Sequence, residues 1–194
     1  MENEEFFDKK ILEYRKRARK EKYHSLETGM YIKDELVQFS RKTLFQEKMS
    51  IMLPTTFVDL PEHLAKMKYT SEQRPQIVKT SLDTSVNIVF SLLNVDILDE
   101  QMEVLMEQMK SALKRMNPAF PFFDSKVEEE PMTLGWFEFK NFGLDKNVYN
   151  LMFITRIDGK MLHGGFNCFY DDALEWREAA HKMITSIRDN TRKD

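Results

Sequence analysis

The sequence predicts an α+β fold in which an antiparallel β-sheet carries helices on its faces. Three observations carry this. The element order reads helix, strands, helix, strands, helix. Successive strands are separated by tight turn signals, of which Asp158-Gly159 is the strongest. No helix stands between each pair of strands, as a parallel sheet would require.

Residues 4–24 are predicted as a helix, with Phe7, Ile11, Tyr14 and Ala18 at steps of four, three and four. Gly29 supplies a stop. Met49, Ile51 and Leu53 alternate with Ser50 and Met52 and run into Pro54, the pattern of a strand. Residues 54–64 read as a loop with Phe57 and Leu60 plugging inward, and Met67-Lys68-Tyr69 as a short strand. Another strand is expected over residues 76–80. A turn at Leu82-Asp83 then leads to the alternation of Val86, Ile88, Phe90 and Leu92.

Residues 99–116 form the clearest helix. Met102, Leu105, Met106, Met109, Leu113 and Met116 recur at three- and four-residue steps, with Asp96 or Asp99 placed to cap the start. The acidic residues sit early and Lys110, Lys114 and Arg115 late, as the helix dipole favours. Residues 119–131 read as an extended, irregular link. Three strands follow, over 132–140, 148–157 and 160–169. Asp171-Asp172 then caps a last helix with Ala173, Trp176, Ala180, Met183 and Ile187 on one face. The expected division is a charged helix over residues 1–28 and a sandwich domain over 29–194.

The chain of 194 residues has 29 Lys+Arg against 32 Asp+Glu and 42% hydrophobic residues. That composition supports a sizeable core and argues against a dedicated nucleic-acid protein, which carries a basic excess. One cysteine, Cys168, excludes an intramolecular disulfide and any zinc site built from cysteines. The first residues lack the apolar run of a secretory signal, and no stretch nears the roughly 20 apolar residues of a membrane span. A cytoplasmic location is the expectation.

No catalytic, cofactor-binding or metal-ligating residue stands out. His24, His63, His163 and His181 are scattered, and none is at i, i+4 with another. Cys168 shares a strand face with Phe166 and reads as a core residue. Gly164-Gly165 is too short for a phosphate loop and suits a bulge or the close approach of something packing over it. Glu128-Glu129-Glu130 reads as a run that keeps the link solvated. From Lys9 to Lys22, eight basic residues face two acidic ones, a local charge of +6. A solvated helix face explains it, with contact to nucleic acid or an anionic membrane as the other reading.

Gly165-Phe166-Asn167-Cys168, then Trp176, then Ser186-Ile187-Arg188, resemble the closing pattern of the PsbP/Mog superfamily. Met52-Leu53-Pro54 with Phe57, and Lys68-Tyr69 with Arg74-Pro75, resemble its early segment. The resemblance spans about residues 47–189 and leaves the first helix outside. It implies an α/β/α sandwich around an antiparallel sheet. Relatives of that kind are non-enzymatic: photosystem II accessory subunits, binders of a nuclear-transport GTPase, periplasmic lipoproteins and secretion-system chaperones. The chain departs from the lipoproteins in having no cysteine near its start, and no site residue transfers.

The expected function is therefore a non-enzymatic protein-binding, adaptor or chaperone-like module whose partner is another protein, with no cofactor. The alternative is a small-ligand binder or enzyme in which Tyr69, Arg74, Trp136, Arg156 and His163 converge on a pocket.

Overall fold

The computed structural model describes residues 10–15, 18, 19, 21–69, 74–143 and 145–192. Among these residues thirteen strands form three sheets, and every pairing is antiparallel. Strands β1 (His24–Ser25), β2 (Gly29–Ile32) and β3 (Glu35–Val37) make a small meander. The hairpin of β4 (Phe39–Leu44) and β5 (Met49–Pro54) is completed by β13 (Arg188–Asp189). The main sheet has seven strands. They are β6 (Val58–Asp59), β7 (Ile77–Thr80), β8 (Asn87–Asp96), β9 (Phe122–Glu128), β10 (Leu134–Asn141), β11 (Val148–Ile157) and β12 (Lys160–Phe169). Their order is β6-β7-β8-β12-β11-β10-β9, which leaves β9 at an edge.

Among the described residues beyond position 24, three α-helices complete the fold: α1 (Glu62–Lys68), α2 (Met102–Met116) and α3 (Ala173–Thr185). Helix α2 packs on one face of the main sheet, over β10 and β11, and is called the back here. Helix α3 packs on the front, between the main sheet and the two small sheets. An antiparallel sheet between helical layers is the predicted architecture.

The front core follows from strict alternation. Ile88, Phe90, Leu151, Phe153, Leu162, Phe166 and Cys168 point forward and are essentially fully buried. From α3, Trp176, Ala180 and Met183 meet them, and Ile187 follows just beyond the helix, as its apolar face predicts. The residues that carry the family resemblance join here. The Trp176 ring lies 6.0 Å from Phe166 and 6.1 Å from Phe57. Ser186 donates its hydroxyl to the Met183 carbonyl at 2.7 Å and accepts from the Met52 amide at 2.9 Å. The Ser-Ile step therefore ends α3 and ties it to β5.

Several local expectations are corrected. Helix is present at residues 10–15, 18, 19, 21 and 22, while the rest of the predicted 4–24 span lies outside the described residues, apart from Tyr23 and the strand residue His24. Its described apolar positions are exposed, Tyr14 at 75%. Gly29 is no helix stop: it opens β2 at φ 91°, close against Gln38 and the Val37 carbonyl. Residues 67–69 end helix α1 rather than forming a strand, and α1 follows the short strand β6 in the span read as a loop. The link over 119–131 contains β9, an edge strand whose exposed polar positions hid it. Asp99 does not cap α2. Gln101 accepts from the Leu98 amide at 2.9 Å there, and Asp99 pairs with Arg156 at 3.1 Å. Nor does Asp172 cap α3; it pairs with Lys33 at 2.5 Å. Met116, at the end of the α2 stripe, is 80% exposed.

Candidate functional site

One carboxylate stands out. Glu138 lies on the front of β10 and its side chain is only 1% exposed. Trp136, two residues earlier, shares its face. Arg177 and His181 lie one turn apart on α3, so both reach down to the same point. Glu138 Oε1 accepts from Tyr149 Oη at 2.8 Å, Arg177 Nε at 2.8 Å and His181 Nε2 at 2.6 Å. Burial pushes this carboxyl up, but donation from His181, Arg177 and Tyr149 outweighs it and holds it down at about 2. The Tyr149 phenol is pushed up by its own burial and by the Glu138 charge. Arg177 also reaches Asp124 on β9. The His181 ring stands edge-on to Trp136 at 4.4 Å, and Trp136 Nε1 donates to Glu128 at 2.9 Å.

This cluster holds α3 to the sheet and its edge. A histidine backed by a carboxylate is half of a catalytic triad, but among the described residues no Ser, Thr or Cys side chain hydrogen-bonds the His181 ring. With its oxygen already accepting three donors, Glu138 is poorly placed to serve as a general base.

The back face carries a polar row at one end. Thr80 donates to Asn87 at 2.8 Å and Asn87 to Asn167 at 3.0 Å. Asn167 is in register with Asn150, which donates to Asn141 at 3.2 Å. This row crosses five strands. The Tyr69 phenol lies against Asn167 without a well-formed hydrogen bond, and His163, on the same face of β12, has a buried and unpartnered Nε2.

The five residues named for an alternative pocket therefore do not converge. Tyr69 and His163 are on the back, Trp136 is on the front, and Arg156 is engaged with Asp99. Arg74 is half-buried in the segment before β7. The His24 ring is exposed, and its Nδ1 donates to the Glu21 carbonyl at 2.7 Å; His63 lies exposed on α1. Cys168 is fully buried, and burial with the nearby Asp172 charge pushes its thiol up to about 12, the state of an inert core thiol. At Gly164 an added Cβ would stand 2.1 Å from the Phe153 ring, the close approach that the paired glycines suggest. Glu128 belongs to β9 rather than to a solvated link. Of the basic stretch, Lys9, Lys16, Arg17 and Lys20 lie outside the described residues. Among the described residues no group of three or more His, Cys, Asp or Glu is placed to hold a metal ion, and no helix is long and apolar enough to cross a membrane.

A second surface feature lies where β9 begins and β10 and β12 end. Phe123 is 44% and Phe142 54% exposed. The Phe123 and Tyr170 rings are 6.2 Å apart. Lys140 Nζ sits 4.1 Å from the Tyr170 ring centroid and 5.4 Å from that of Phe142.

The fold is that of PsbP-like proteins. Cyanobacterial PsbP (CyanoP) from Synechocystis superposes with a TM-score of 0.57 at 10% identity, over 80% of this chain and 94% of that one. LpqN of Mycobacterium tuberculosis, involved in cell envelope biogenesis, superposes at 0.50 and 17% identity, over 81% and 93%. No family model matches the chain. No curated protein matches it in sequence.

Proposed function

We propose that this chain is a non-enzymatic protein-binding module, adaptor- or chaperone-like, acting in the cytoplasm. The observation that carries the proposal is the aromatic surface of Phe123, Phe142 and Tyr170, beside the edge of β9, which pairs with no further strand among the described residues. Large apolar side chains grouped on a surface mark interaction sites, and an open strand edge offers backbone groups to an added strand. Lys140 among the rings suits a partner segment that carries acidic residues beside apolar ones. The commitment of Glu138 and His181 to holding α3 supports the absence of catalysis.

The test is affinity capture from the native host with the wild-type chain and a Phe123→Ser/Phe142→Ser double variant. The wild type retains specific proteins that the variant loses, with affinity for an identified partner falling at least about tenfold, as for removal of an interface anchor. Identical retained sets, or no specific protein at all, overturn the proposal. Fractionation of host cells checks the location: recovery with the envelope contradicts it.

A further inference from the structure

The C-terminal segment and the β4–β5 hairpin enclose a cleft of about 710 Å³, lined among others by Glu27, Arg41, Ser186, Arg188, Asn190 and Arg192. Arg41 and Arg188 stand on the same outer face of the small sheet, since Arg41 is in register with Met52 and Arg188 with Ser50 two positions away. Arg41 is held from behind: Nη1 donates to the Ser186 carbonyl at 3.0 Å and to Ser50 Oγ at 3.3 Å. Ser50 is 4% exposed and passes its own hydroxyl proton to Asn190 Oδ1 at 3.1 Å, and Asn190 Nδ2 donates to the Glu47 carbonyl at 2.9 Å. The floor of the cleft is thus a continuous hydrogen-bonded chain that fixes one guanidinium.

The charges in the cleft are unequally matched. Asp189 is turned inward, 3% exposed, accepting from the Asp158 and Thr191 amides at 3.1 Å and 3.0 Å. It also accepts from Thr191 Oγ1 at 2.7 Å and pairs with Arg192 at 3.4 Å. Arg188 has no ion pair or hydrogen-bonding side-chain partner among the described residues, and it is exposed. Burial and the Arg188 charge push Arg41 below its ordinary range, and the Glu27 charge offsets this only in part. Among the described residues lining the cleft, Glu27, exposed at the rim, is the carboxylate left to face them.

The geometry points to a binding site for a small phosphate- or carboxylate-bearing anion in this cleft, gripped by Arg41 and Arg188 with Ser186 and Asn190 at its floor. Guanidinium forks match the two oxygens of either group, and a prefixed fork loses little freedom on binding. The site is separate from the aromatic surface, so neither reading depends on the other.

Isothermal titration of the full chain at low salt, with pyrophosphate in one arm and citrate in the other, tests it. One equivalent of at least one anion binds, and the arm with the tighter binding identifies the group. Arg188→Gln, at an exposed position that leaves the fold intact, weakens binding about tenfold or more, in line with loss of a charge-assisted hydrogen-bond pair. Glu27→Gln tightens it severalfold, a gain that damage to the fold cannot mimic. No heat in either arm, or unchanged affinity in both variants, overturns the assignment.

Discussion

The front of the seven-stranded sheet buries Ile88, Phe90, Leu151, Phe153 and Phe166 to 1% exposure or less under α3 and the two small sheets. On the back, one helix covers β10 and β11 through Met102 and Met106, phenylalanines 120 and 122 cover the end of β10, and asparagines occupy the rest of the row. The two faces use different materials for the same task. The front interlocks rigid rings with small helix residues such as Ala179 and Ala180, and admits a charge only where Glu138 is matched by three donors. The back relies on flexible thioethers, which adapt to irregular gaps. Precision is concentrated where α3 meets the sheet.

The comparison is broken most severely at Glu138. Glu138→Ala leaves Arg177 and His181 facing an emptied site and costs about 3–5 kcal/mol, measured by urea denaturation. A smaller loss in that measurement means the front tolerates its charge as loosely as an exposed pair. Acid probes the same point without mutation. The folded pKa of Glu138, about 2, lies below the ordinary carboxyl value of 4.5. Its contribution is therefore complete above about pH 5 and is lost as pH falls toward 2, a change of roughly 3 kcal/mol. Unfolding followed from pH 6 to 2 shows this slope in the wild type, and it is reduced in Glu138→Gln.

Two glycines set the faces against each other directly. A Cβ at Gly164 meets the Phe153 ring at 2.1 Å, and one at Gly135 meets Met106 Sδ at 2.3 Å. The distances are similar but the neighbours are not, since a packed ring must displace the core while a thioether can rotate away. Gly164→Ala is expected to lower stability by about 3 kcal/mol and Gly135→Ala by about 1 kcal/mol. Equal losses in thermal melts erase the distinction between the faces. The smallest effect belongs to Met116→Lys at the exposed end of α2, within about 0.5 kcal/mol of the wild type.

Much of the fold was legible because its central strands alternate cleanly. The spans 148–157 and 160–169 match β11 and β12, and the Asp158-Gly159 turn takes φ of 53° and 74°, as the strand twist requires. The strands between His24 and Leu44 were illegible for a physical reason. They are short, and β3 and β4 are largely exposed, so charge and brevity mask the period of two. Edge strand β9 escaped in the same way. The Glu138 cluster draws on residues from 124 to 181, so no spacing announced it. It did leave a trace: a lone acid inside Trp136-Phe137-Glu138-Phe139, and a cationic Arg177 one turn before His181 on the otherwise apolar face of a helix. The cleft arginines left none, because Arg41 and Arg188 meet only once the sheet has formed.

The small sheet is completed late in the synthesis of the chain. Strand β5 gains its second neighbour only when β13 arrives, and Ser50 and Asn190 are 140 residues apart in sequence. At ribosomal speeds that gap lasts on the order of ten seconds. Throughout it the β4–β5 hairpin presents an open edge with Met49, Ile51 and Leu53 uncovered. Synthesis thus imposes a waiting period on the hairpin, whose second edge is paired only once β13 has been made.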